Sequence, residues 1–135
     1  MIRLAALQNP GLRVGYTGLD LFEASPSDSG GRLALKTVYQ RLRSTGARIR
    51  LMPGEPMEAL TRFANDLGRF DLVVISAQAQ AAATPRAWFY LPRLLGARSV
   101  VMIEEAQAPG QTDFRPLAHT QIDRLAVPAP RRKAA

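Results

Sequence analysis

The sequence contains no cysteine, a single histidine and only two lysines among its 135 residues. The lack of cysteine excludes a disulfide framework, a thiolate nucleophile and a cysteine-ligated zinc site. With His119 as the only histidine, a histidine-based metal site has little support, and no metal is expected. No apolar stretch is long enough to cross a bilayer, and the first residues turn polar too early for a secretory signal. A cytoplasmic protein with no membrane partner is therefore expected.

Positive charge is in excess and is carried almost entirely by arginine. The formal net charge is +7, and Lys36 and Lys133 are the only lysines. Such an excess raises the hypothesis of a nucleic-acid or acidic protein partner. The arginines are scattered without an obvious aromatic platform, which is more typical of a solvated surface. Part of the excess lies in residues 128–135, predicted to be a disordered basic tail after a single domain over residues 1–127.

Strand and helix patterns alternate along most of the chain. Strands are predicted over residues 14–22, 47–52, 71–76 and 99–104, with helical patterns between them. The run Leu72-Val73-Val74-Ile75 is continuously apolar, which is typical of a strand covered on both faces. The sequence therefore predicts a three-layer α/β protein of Rossmann-like type, with a mostly parallel sheet of about four core strands and flanking helices.

The helical segments carry a few further predictions. Leu35, Val38, Tyr39 and Leu42 have the spacing of one apolar helix face. A second helix is expected to begin at Thr84-Pro85 and to be interrupted at Pro92. In the aromatic run 88–90, Trp88 is predicted to pack in the core while another ring stays exposed. Residues 120–126 are predicted to form a terminal helix that begins with a capping box.

Polar residues follow each predicted strand, where ligands bind in open parallel sheets. An acid after one strand can accept hydrogen bonds from ribose hydroxyls, and an acid after the next can meet the amino group of a base. The alternative interpretation is that these polar residues simply mark the strand ends. The candidates are Asp20 with Glu23, Gly54 with Glu55, Ser76 to Gln78, and Glu104 with Glu105.

Three segments, taken in order, resemble the class I S-adenosylmethionine-dependent methyltransferases. Residues 16–23 are similar to that family's second strand, which implies that the acid Asp20 holds a ribose. Residues 51–60 resemble its third-strand region "G-D-x-x-x-x-L", which implies that Glu55 lies near an adenine. Residues 70–76 and 91–101 are similar to its fourth strand, its "L-P-x-L-L" helix and its fifth strand. The resemblance implies the family's Rossmann-like fold over about residues 14–105.

The chain also departs from this family. The first strand and the glycine-rich loop, which hold the methionine part of the cofactor, are not found before residue 14. Glu55 stands where the family has aspartate, and Ser76 stands where metal-dependent members have a carboxylate. The antiparallel strands that end the family's sheet are at most shortened, within residues 112–127. A sheet without its central strand has two unpaired edges, through which a homodimer could form.

Two hypotheses about function follow. In the first, the protein is a truncated or degenerate methyltransferase-like protein that binds an adenosine-type ligand, S-adenosylmethionine included, without independent catalysis. The contacts would come from Asp20, Glu23, Gly54, Glu55 and Ser76. In the second, it is a non-enzymatic module whose arginine-rich surface binds nucleic acid or an acidic protein. A steep loss of binding with added salt would favour the second hypothesis.

Overall fold

The computed structural model describes residues 2–20 and 34–127. Tertiary contacts group the chain into two compact units, Met1–Pro56 and Met57–Ala135. The described parts of both units combine helices with parallel or mixed strands, so the predicted α/β class is confirmed. The single domain over residues 1–127 stays a prediction, and the basic tail lies outside the described residues.

The first unit contains a parallel pair of strands. Its elements are helix α1 (Ile2–Gln8), strand β1 (Gly15–Asp20), helix α2 (Leu35–Arg43) and strand β2 (Arg48–Pro53). The strands align from Gly15 opposite Arg48 to Asp20 opposite Pro53. Helix α2 packs against β2 and is followed by Gly46, whose φ of +79° suits glycine. The carboxyl ends of β1 and β2 therefore lie side by side.

Side-chain packing explains why residue 18, in the middle of β1, is a glycine. A β-carbon at this position would lie 3.0 Å from the Leu51 side chain and 3.2 Å from the Tyr16 ring. These distances are too short for an ordinary carbon–carbon contact, so the two side chains occupy the space that a larger residue would need.

The second unit contains a three-stranded mixed sheet. Its elements in chain order are helix α3 (Pro56–Leu67, whose first residue belongs to the first unit), strand β3 (Phe70–Ile75), helix α4 (Ala77–Ala82), helix α5 (Pro85–Tyr90), a 3-10 turn (Leu91–Leu94), strand β4 (Leu95–Ala108), strand β5 (Gln111–Leu117) and helix α6 (His119–Leu125). The strand order is β3-β4-β5, with β3 parallel and β5 antiparallel to β4. The break at Pro92 is confirmed, because α5 ends at Tyr90 and the 3-10 turn follows.

The two faces of this sheet differ in exposure. Ile75, Val101, Ile103 and Leu117 are buried on one face. Four apolar side chains of the opposite face are 41–48% exposed; they are Leu72, Val74, Val100 and Phe114. The prediction that β3 is covered on both faces is therefore wrong. Alternate residues of a strand point to opposite faces, and only one face of β3 is packed.

Strand β5 was not among the four strands predicted from the apolar pattern, although the family resemblance allowed shortened antiparallel strands within residues 112–127. Residues 111–117 are mostly polar, include Pro116 and are exposed up to Leu117. A strand open to solvent lacks the apolar alternation that identifies buried strands, and proline is tolerated at a sheet edge. Gly110, with a φ of +78°, makes the turn between β4 and β5, and Arg115 forms an ion pair with Glu105 across the hairpin at 2.7 Å.

Ser99 joins β3 to β4 where their register shifts. Its hydroxyl donates to the Phe70 carbonyl at 2.6 Å and accepts from the Gly96 amide at 2.8 Å. The shift in strand alignment falls between Phe70 and Leu72. We expect Ser99→Ala to lower the free energy of unfolding of the second unit by about 1–3 kcal/mol, since it removes two hydrogen bonds to backbone groups.

Chemical denaturation followed by the fluorescence of Trp88 measures this effect, because the only tryptophan lies in the second unit. Thr112→Ala is the matched control, since it removes an exposed hydroxyl from β5 and should change stability by less than about 0.5 kcal/mol. Equal stability of the two variants would show that the Ser99 hydrogen bonds do not support the sheet.

Candidate functional site

Two of the predicted site residues meet at the carboxyl ends of β1 and β2. The backbone amide of Gly54 donates a hydrogen bond to the carbonyl of Asp20 at 2.9 Å. This bond continues the parallel ladder by one residue beyond the pair Asp20–Pro53. The sequence analysis expected both residues at one edge of the sheet, and the structure places them there.

Gly54 turns the chain after β2. Its φ is +142°, a conformation that residues with a β-carbon rarely adopt. The turn is followed by Glu55, which is half-buried, whereas Asp20 is exposed. Two carboxylates with different solvent exposure therefore follow neighbouring strands in the same unit.

Asp20 and Glu55 already have interactions within the chain. Asp20 and Glu55 each take part in a hydrogen-bonding or electrostatic interaction. An ionised carboxylate offers about four acceptor positions on its two oxygens. Carboxylates of this kind can accept hydrogen bonds from the hydroxyl or amino groups of a ligand.

Neither Glu23 nor Ser76, the other predicted contacts, belongs to the described part of the first unit. Glu23 lies outside the described residues. Ser76 belongs to the second unit, where its hydroxyl accepts from the Ala79 amide at 3.1 Å and caps helix α4. The sequence analysis missed this helix, although a serine before the alanine and glutamine run 77–82 is a helix-start signal. The described contacts thus give Ser76 a structural role.

The two acids after the last predicted strand lie inside β4 instead of after it. The backbone carbonyl of Glu104 accepts from the side-chain amide of Gln80 at 2.9 Å. The Glu105 carboxylate accepts from Arg115 on β5. Strand β4 continues to Ala108 because it pairs with β5, so these positions do not form a strand-end site.

A groove between α2 and β2 was not expected from the sequence. Its volume is about 460 Å³, and its surface is mostly apolar. The sequence analysis placed Tyr39 on the apolar helix face, whereas in the structure 42% of this residue is exposed. Charged residues beside apolar ones, on both the helix and the strand, were the signal available in the sequence. The lining residues are Leu35, Lys36, Tyr39, Ile49, Arg50 and Leu51.

Neither a metal site nor a membrane-spanning helix is found in the described part of the chain. No three acidic or histidine side chains of residues 2–20 and 34–127 come together in a way that could hold a metal ion. The single histidine, His119, opens helix α6 and makes a ring-nitrogen hydrogen bond with the Ser99 carbonyl at 3.0 Å. Over the same residues, no helix combines the length and the apolar character needed to span a membrane.

Comparison with known proteins identifies no family. No protein-family model matches the chain, and no curated protein matches it. Among solved structures it is similar to precorrin 8W decarboxylase from Methanobacterium thermoautotrophicum, with 14% sequence identity and a TM-score of 0.42. The match covers 81% of this chain and 64% of that one, so the chain spans less than two thirds of its length. A likeness of this size transfers no activity, ligand or partner to the present protein.

Proposed function

We propose that this protein is a methyltransferase-like α/β protein that binds an adenosine-type ligand at the carboxyl ends of β1 and β2. The observation that carries the proposal is the hydrogen bond from Gly54 to Asp20, which sets Asp20 and Glu55 at adjoining strand ends. Ligands of parallel α/β sheets bind at this end of the strands.

The two acids suit the two polar parts of a nucleoside. Asp20 is exposed and would accept hydrogen bonds from the ribose hydroxyls, while the half-buried Glu55 would accept one from the amino group of adenine. Gly54 has no side chain, so a ligand can approach the backbone closely. Glu23 stays a proposed further contact.

The fit to S-adenosylmethionine covers the nucleoside half of that molecule. When bound, its sulfonium centre is a source of an electrophilic methyl group. Between α1 and β1, residues 9–14 contain one glycine, Gly11, and so offer no glycine-rich turn to hold the methionine half. We therefore propose nucleoside recognition without independent methyl transfer.

Calorimetric titration with S-adenosylhomocysteine and with adenosine tests this proposal. We expect Asp20→Asn and Glu55→Gln each to weaken binding about tenfold, because a hydrogen bond to a charged group is worth about 1.5–3 kcal/mol. Binding should persist in high salt, since the ligand makes no phosphate contact. Adenosine should bind nearly as well as S-adenosylhomocysteine.

The exposed acid Asp123 on α6 supplies the control, since Asp123→Asn removes one carboxylate from the second unit. This control should bind like the natural sequence. A natural sequence that binds neither ligand, or variants at Asp20 and Glu55 that bind as well as Asp123→Asn, would overturn the proposal.

A further inference from the structure

The groove between α2 and β2 combines an aromatic ring, apolar walls and positive charge. Leu35, Ile49 and Leu51 supply aliphatic surface, and the half-exposed Tyr39 supplies a ring. Lys36 and Arg50 line the same groove, and none of its described lining residues is acidic. At about 460 Å³ its volume falls within the range of small-ligand sites.

The surroundings of the groove are strongly basic. The described part of the first unit holds seven basic residues against the two acids Asp20 and Glu55, a net charge of +5. The two acids follow the strands, whereas the basic side chains lie on α1, α2, β2 and the turns. The seven are Arg3, Arg13, Lys36, Arg41, Arg43, Arg48 and Arg50. A field of this sign attracts polyanions.

Strand β2 presents two of these arginines in a regular arrangement. Arg48 and Arg50 are exposed and alternate with Ile49 and Leu51. Residues two apart on a strand share a face and are separated by about 6.6 Å. Each guanidinium can bind a phosphate through two parallel hydrogen bonds. The strand therefore offers two neighbouring phosphate positions, one of which belongs to the groove.

We propose that this groove binds single-stranded nucleic acid, with one base stacked on Tyr39 and the neighbouring phosphates bound by Lys36, Arg48 and Arg50. An unpaired base has free faces for stacking on an aromatic ring, whereas the bases of a duplex are already stacked on one another. An acidic peptide would satisfy the charges but would not use the ring. Single-stranded nucleic acid is thus the partner that uses the ring, the apolar walls and the charge together.

Fluorescence anisotropy with a labelled oligouridine of about 12 nucleotides tests the proposal, a length within the range of known single-strand sites. Oligouridine contains no adenine, so the measurement avoids the adenine contact proposed for Glu55. We expect Tyr39→Ala and Tyr39→Leu to weaken binding about tenfold, and Tyr39→Phe to leave it nearly unchanged. Tyr39→Leu keeps an apolar side chain in the groove, which separates loss of stacking from loss of packing.

The charged residues are tested through salt dependence. We expect Lys36→Gln and Arg50→Gln each to weaken binding and to reduce the slope of log affinity against log salt by about 0.7. Two controls in the second unit remove matched features: Phe89→Ala removes an exposed ring, and Arg98→Gln removes an exposed arginine from a strand. Both should bind like the natural sequence.

Three results would overturn the proposal. The first is unchanged oligouridine binding in Tyr39→Leu, and the second is an equal effect of Arg98→Gln and Arg50→Gln. The third is tighter binding of a duplex or of a polyglutamate peptide than of oligouridine, which would assign the basic surface to another class of partner.

Discussion

Replacing Trp88 with alanine is expected to lower the free energy of unfolding of the second unit by about 3–5 kcal/mol, the usual cost of removing a large buried aromatic ring. Trp88 on α5 is only 7% exposed. It belongs to the core that also contains Leu91 and Ile122, and α5 packs against α6 in this unit. An alanine would leave a cavity that neighbouring side chains fill only in part.

Phe89 provides the matched control, because it is the next residue on the same helix and is 57% exposed. Its ring makes an edge-to-face contact with Tyr90 at 5.4 Å between centroids. Phe89→Ala should therefore cost no more than about 1.5 kcal/mol, the upper value for such an aromatic pair. Urea denaturation followed by far-ultraviolet circular dichroism measures both variants. Equal losses would show that α5 does not bury Trp88 in solution.

The difference in burial between Trp88 and Phe89 was predictable, because the three consecutive aromatic residues 88–90 cannot share one helix face. The first four strands were also predictable from the local sequence. Apolar runs bounded by turn residues mark strands, and glycines such as Gly46 and Gly68 follow helices in conformations that other residues avoid. Local chemistry was sufficient for these elements, since each carries its own start, stop or packing signal.

Pairing between strands was harder to predict from the sequence. Nothing in the apolar run of β3 indicates that Leu72 and Val74 stay exposed, because exposure depends on which elements cover each face. Strand β5 carries few apolar residues and is held by its pairing with β4 and by the Arg115–Glu105 ion pair. Such long-range pairing leaves only a weak trace in the local sequence.

In the candidate site, too, some features have a local sequence signal and others depend on long-range packing. The prediction that Asp20 and Gly54 lie at one sheet edge followed from parallel strands alone, and the 2.9 Å hydrogen bond between their backbones agrees with it. The role of Ser76 as the cap of α4 needed recognition of a short helix that has no apolar periodicity. The exposed ring of Tyr39 could not be predicted, because helical spacing gives the direction of a side chain but not the depth of its packing.

Helix α6 should depend on one side chain for its attachment to the second unit. Ile122 is its only buried residue and is 0% exposed, whereas Leu125 on the same helix is 43% exposed. We expect Ile122→Ala to cost about 2–5 kcal/mol, the range for truncating a buried aliphatic side chain, and Leu125→Ala to cost less than about 1 kcal/mol.

Amide hydrogen exchange then shows which contact holds the helix. Exchange over residues 119–126 should accelerate in Ile122→Ala more than in Leu125→Ala, and the fluorescence of Trp88 on the adjoining helix α5 should report the same loss of stability. The alternative attachment is the hydrogen bond between His119 and the Ser99 carbonyl. If exchange in Ile122→Ala stays slow but becomes fast in His119→Ala, that polar contact anchors α6. A single hydrogen bond is worth about 1 kcal/mol net, which is less than the burial of an isoleucine side chain, so we expect Ile122 to be the anchor.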